Sequence, residues 1–193
     1  MEADAGATIV AVPRAAEERV APPAASRVRK LRQHLLEALN DLRKTWRADA
    51  PVERPAPEPE GFAGDVVREA CGQCRGFCCK GGGEHAYLDD RTMARVLRDH
   101  PDLSASSLVR RYLDAVAAES VVGSCLYHGR QGCTLPRTLR ADLCNIFYCN
   151  GLRVFLRSED TVDRVIVVAE GGGQARRSVV MRRDSTEGLA TGE

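Results

Sequence analysis

Cys71-Gly72-Gln73-Cys74-Arg75-Gly76-Phe77-Cys78-Cys79 is the stretch on which the reading of this chain turns. Four thiols fall within nine residues, spaced Cys-x2-Cys-x3-Cys-Cys. Thiolates this close repel one another unless a cation or a covalent bond lies between them. The pattern therefore points to a metal ion, an iron–sulfur cluster or disulfides. Cys71 and Cys74 are expected in a turn that aims both sulfurs at one ion, with Arg75 and Lys80 offsetting the thiolate charge. Adjacent Cys78 and Cys79 are expected to project apart and serve two centres. A second group follows, Cys125, Cys133, Cys144 and Cys149, so all eight cysteines lie between positions 71 and 149. Cysteines used only as small core hydrophobes would be scattered instead.

Compartment decides between metal and disulfide. The chain opens Met1-Glu2-Ala3-Asp4, acidic where a signal peptide is basic, and its first apolar run, residues 7–12, is too short for a signal core. No stretch approaches the roughly 18 apolar residues of a membrane span. These features predict a cytoplasmic protein whose thiols persist as ligands rather than bridges. The net charge of +1 over 193 residues gives no field that would favour nucleic acid or membrane. Aromatic residues are only 5% of the chain, so the core is small and a metal staple, worth on the order of 10 kcal/mol, would help hold it.

Outward from the cysteines, residues 1–26 are rich in Ala, Pro and charge and are expected to be a disordered leader. Val28, Leu31, Leu35, Leu39, Leu42 and Trp46 then recur at helical steps, so residues 27–48 predict an amphipathic helix capped by Ser26. Its other face carries Arg29, Lys30, Arg32, Arg43, Lys44 and Arg47. The apolar stripe is expected to dock on the domain, or to mediate self-association or a protein contact. Residues 49–60 hold four prolines and predict a linker. Residues 61–183 are expected to form one cysteine-cluster metal-binding domain, and 184–193 a disordered tail. Within the domain the expectations are a helical turn at 65–69, a short strand at 86–88 and two helices. One helix is capped by Asp89 or Asp90 and ends near 99, and the other runs from a Ser104 cap to 118. The β-branched runs 164–168 and 178–181, with Gly171-Gly172-Gly173 between them, predict a hairpin. Residues 152–156 fit a third strand or a short helix. The fold class expected is thus small, metal-stabilised α+β: a cysteine-rich irregular core with a helical pair and a C-terminal hairpin, preceded by an amphipathic helix.

The second cysteine group reads Cys125-Leu126-Tyr127-His128, Cys133-Thr134-Leu135, then Arg140-Ala141-Asp142-Leu143-Cys144-Asn145 and Cys149. Taken with the vicinal Cys78-Cys79, the order resembles the bacterial YkgJ-like cysteine-cluster family, zinc- or iron-chelating proteins with a CxxCxxCC signature. The matching positions are Cys71, Cys74, Cys78, Cys79, Cys125, Cys133, Leu135, Arg140 and Cys144, within residues 68–150. The chain departs from the family in several places. Three residues rather than two separate Cys74 from Cys78, and one extra residue lies between Cys133 and Arg140. Ala141 stands for a Pro, and Asn145 for an Arg. The resemblance implies chelation of zinc or iron. Relatives described as flagellin lysine methylases add methyl transfer to what it implies.

All-thiolate sites select zinc, iron–sulfur clusters or Cu(I). The second group lacks a Cys-x2-Cys knuckle, so the two groups are expected to pool their ligands. His128, between Cys125 and Cys133, and His85, six residues past Cys79, are candidate replacements for a thiol. His34 and His100 read as solvated or capping residues. No nucleotide-binding glycine motif is present. Two function classes follow: a metal-chelating protein using zinc or iron, and an iron–sulfur or iron-dependent redox or protein-modifying enzyme. The first is favoured, because no catalytic motif is visible.

Overall fold

The computed structural model describes residues 7–14, 19–47, 57–158, 162–171 and 174–183. In chain order the elements are β1 (Thr8–Pro13), β2 (Val20–Ala21), α1 (Ala25–Thr45), α2 (Gly61–Cys74), α3 (Asp90–Asp99), α4 (Ala105–Asp114), β3 (Ser120–Val121), β4 (His128–Gly129), β5 (Gly132–Cys133), α5 (Asp142–Ile146), α6 (Asn150–Phe155), β6 (Arg164–Gly171) and β7 (Gln174–Arg182). Short 3-10 segments stand at Phe77–Gly81 and Arg137–Leu139. The chain is thus small and mixed α and β. No helix among the described residues is long and apolar enough to cross a membrane.

The contacts divide the chain into two units. The first takes the described parts of Met1–Glu17, Glu58–Phe77 and Tyr148–Glu193; the second takes those of Glu18–Pro57 and Cys78–Phe147. The division falls inside the first cysteine group.

The first unit is built on a three-stranded sheet in the order β1-β6-β7. β6 and β7 form the expected antiparallel hairpin, Arg164 opposite Arg182, with an irregularity at Ala169/Glu170. β1 adds to it in parallel, Thr8 beside Val165 through Pro13 beside Glu170. Residues 8–13 are therefore a strand and not part of a disordered leader. Strand alternation puts Val10, Val12, Val165, Val167 and Ala169 on one face, where Val66, Val67 and Ala70 of α2 and Leu152 and Phe155 of α6 join them in one core. That burial explains α2. Gly72 costs a helix about 1 kcal/mol, but the Val66–Val67–Ala70 stripe docks on the sheet, so the helix runs on through Cys71 and Cys74. The predicted ligand turn is instead the last helical turn. Residues 152–156 resolve as helix. Gly151 permits it, since a β-carbon there would stand 2.0 Å from the Ala11 carbonyl oxygen.

The second unit packs α1, α3 and α4 around one core. The α1 stripe of Leu31, Leu35, Ala38, Leu39 and Leu42 meets Met93 and Val96 of α3, Leu108 and Tyr112 of α4, and Leu126, Tyr127, Leu135 and Leu139 from the loops. The stripe thus docks on its own unit. The helix starts at Ala25 with Ala24 as its cap residue, so Ser26 lies inside it. Trp46 at the far end is exposed, with the Arg98 guanidinium 4.7 Å from its ring centre. The α3 and α4 caps are as expected: Asp89 accepts from the Thr92 amide at 2.9 Å and Ser104 from the Ser107 amide at 3.1 Å. α4 ends at Asp114, short of 118. Val20–Ala21 pairs with Ser120–Val121, a second correction to the expected leader. The 184–193 tail, residues 49–56 of the linker and 1–6 and 15–18 of the leader lie outside the described residues.

Candidate thiolate metal centre

Five of the eight cysteines belong to the second unit: Cys78, Cys79, Cys125, Cys133 and Cys144. Four separate stretches deliver them. Cys78 and Cys79 sit on the 3-10 turn, Cys125 in the loop after β3, Cys133 on β5, and Cys144 on α5. The Cys125 amide donates to the Cys79 carbonyl at 3.1 Å, and so does the Gly82 amide at 3.0 Å. Gly82 is required here, because a β-carbon would lie 2.9 Å from Cys125 Cβ and 3.2 Å from its sulfur. The β4–β5 ribbon sets Cys133 opposite His128.

The loop bearing Arg140 and Cys144 is fixed by a buried arginine. Arg95 of α3 pairs with Asp142 at 2.6 Å and donates to the carbonyls of Thr138 and Arg140 at 2.8 and 2.7 Å. A charge this deep is tolerable only when so fully bonded. Tyr112 adds a hydroxyl bond to the Leu139 carbonyl at 2.8 Å.

Cys79, Cys125, Cys133 and Cys144, with Tyr87, Tyr127 and Arg140 among others, line one pocket of about 20 Å3. That is room for roughly one water-sized body. Cys79 lies within hydrogen-bonding range of both Cys133 and Cys78. The bonds to Cys133 and Cys78, then burial, push the Cys79 thiol far above the ordinary range. Cys133 moves the opposite way: the bond from Cys79 lowers it most, followed by the charge of Arg140 and the Leu135 amide. Cys78 is lowered by its bond from Cys79, its own amide and Arg140. Burial pushes Cys125 up to about 12 and Cys144 up to about 11. None of the eight cysteines forms a disulfide.

Several expectations change here. Cys78 and Cys79, expected to serve two centres, both belong to the second unit. Cys71, Cys74 and Cys149 belong to the first unit, where Cys74 and Cys149 pack on the sheet core and Cys71 is exposed. His128 is buried, its Nδ1 2.8 Å from the Ser124 hydroxyl, and it does not line the pocket. His85 is exposed, its Nδ1 accepting from the Tyr87 amide at 2.9 Å. His34 is half-buried rather than solvated, donating from Nε2 to the Leu88 carbonyl at 2.5 Å. The expected strand at 86–88 is a turn in which Ala86 and Tyr87 take left-handed angles, φ 52° and 58°. Such angles cost a non-glycine residue roughly 1–2 kcal/mol each, and here they carry Tyr87 to the pocket. Arg140, which the family resemblance had marked only as a matching position, acts on Cys78, Cys133 and Cys144, and Arg27 acts on Cys125.

Four of these thiols, Cys79, Cys125, Cys133 and Cys144, line the one small space, and thiols are soft donors. Among the described residues, no group of three or more His, Cys, Asp or Glu side chains stands as a ready-made metal cage. Cys78, Cys79, Cys125, Cys133 and Cys144 are the residues that would hold a metal, and zinc or iron bound there would supply a structural staple or, as an iron–sulfur cluster, an electron carrier. Compared with known proteins, the chain matches no family model, no curated protein and no solved structure.

Proposed function

We propose that this protein chelates a thiophilic metal, zinc or iron, through cysteines drawn from both sequence groups, iron–sulfur clusters being one form the iron could take. One observation carries the reading. Cys78 and Cys79 from the first group gather with Cys125, Cys133 and Cys144 from the second in a single unit, and four of the five line one ion-sized pocket. The order of those same cysteines along the chain resembles the YkgJ-like cysteine-cluster pattern. A bound cation replaces the protons these thiols carry, so binding releases protons and tightens as pH rises. Zinc held by four thiolates is closed and structural; an iron–sulfur cluster would make the protein brown.

The test is zinc, iron and acid-labile sulfide analysis of the purified full-length chain beside Cys79→Ser and Cys133→Ser. About one metal centre per chain is expected, lost in both variants. Absence of any thiophilic metal after anaerobic purification, or full retention in both variants, overturns the reading.

A further inference from the structure

A groove of about 420 Å3 runs between α1 and α4 of the second unit. This lies within the ~300–1,000 Å3 typical of ligand clefts. Leu39 and Val109, 6% and 7% exposed, form its floor, while Leu36 stands 43% exposed at the side. Three exposed arginines line it, Arg32 and Arg43 from α1 and Arg110 from α4, against a single carboxylate, Asp114. Among the described residues, none of the three is in an ion pair. The groove therefore combines an apolar floor with unneutralised positive charge, a combination the metal reading does not use.

The placement of that charge selects the occupant. Arg32 and Arg43 are eleven positions apart on one helix, roughly 16 Å along its axis. A single headgroup or carboxylate cannot reach both. A second copy is a poor complement through this helix, since the outward face of α1 carries Arg29, Lys30, Arg32, Arg43 and Lys44 against only Glu37 and Asp41, and Asp41 already pairs with Lys44. We infer that the α1–α4 groove docks an acidic amphipathic helix of a partner protein, its apolar side on Leu39, Val109 and Leu36 and its carboxylates on Arg32, Arg43 and Arg110. This is helix-in-groove recognition, with charge setting orientation and partner choice.

The experiment is fluorescence anisotropy of a labelled peptide of about 18 residues, leucines at i, i+3, i+4 and i+7 and glutamates between them, titrated with the full-length protein. Saturable binding is expected, weakened about tenfold or more by the double charge reversal R32E/R43E and lost in Leu36→Asp. The same peptide with lysine for glutamate is expected not to bind. All three substituted side chains are exposed, and far-UV circular dichroism verifies that the variants fold. Failure of the glutamate peptide to bind overturns the inference, as does equal binding of the lysine peptide or unchanged affinity in R32E/R43E. Phosphatidylserine vesicles that displace the peptide, or a dimer that blocks it, overturn it too, because they put a membrane or a second copy in the groove.

Discussion

Cys125 has its thiol raised to about 12 by burial, against an ordinary value of 9.0, while Cys133 in the same pocket is lowered. The stability consequence has a definite sign in the metal-free protein. A raised thiol pKa means that the folded state binds more protons than the unfolded one between those two values. Stability from this residue is therefore full below pH about 9 and is lost as pH climbs toward about 12. The limiting slope is roughly 1.4 kcal/mol per pH unit. Urea unfolding of the metal-free chain across that window, beside Cys125→Ala, measures it. The alanine variant should start less stable, from the space it opens, but lose less on alkalinisation; parallel curves would contradict the assignment. The residues that tune the site differed greatly in how readable they were. The cysteines announce themselves by spacing. Arg95 does not, because nothing in Asp90-Arg91-Thr92-Met93-Ala94-Arg95 distinguishes a solvated arginine from one that is buried and bonds Asp142 and two carbonyls.

At the scale of elements, what could be read locally was read well. α3 and α4 declare themselves through Asp89 and Ser104 as caps, and the β6–β7 hairpin through two β-branched runs. β1 was illegible because its partner β6 lies some 150 residues away in sequence, and Thr8–Pro13 is a strand only when it lies against that edge. α2 was cut short in the reading for the same reason: its helicity comes from docking rather than from its two interior glycines. Those glycines and Gly151 give a paired prediction. Gly72 is helical with open space where a β-carbon would go, so Gly72→Ala should stabilise by about 0.5–1 kcal/mol. Gly151 is helical too, but a β-carbon there drives into the Ala11 backbone, so Gly151→Ala should destabilise by about 1–3 kcal/mol. Thermal unfolding of the two variants beside the parent should shift in opposite directions. Two shifts of the same sign would contradict the approach of α6 to β1.

For the whole molecule, the sequence presents two cysteine groups and the fold redistributes them, five thiols to one unit and three to the other. This division could not be read from spacing, because it depends on which helix or strand each short stretch joins. Cys71 and Cys74 lie on α2 in the first unit, where Cys74 packs on the sheet core, whereas Cys78 and Cys79, a few residues on, join Cys133 in the second unit. Members of both sequence groups meet in the second unit, Cys78 and Cys79 with Cys125, Cys133 and Cys144. Whether the second-unit sulfurs bind a thiophilic metal is measured by X-ray absorption at the edge of the metal carried by the full-length protein. The expected first shell is dominated by sulfur, at about 2.3 Å if the metal is zinc, and loses sulfur scatterers in Cys133→Ser. A first shell of oxygen and nitrogen alone, or one unchanged in Cys133→Ser, would contradict that binding.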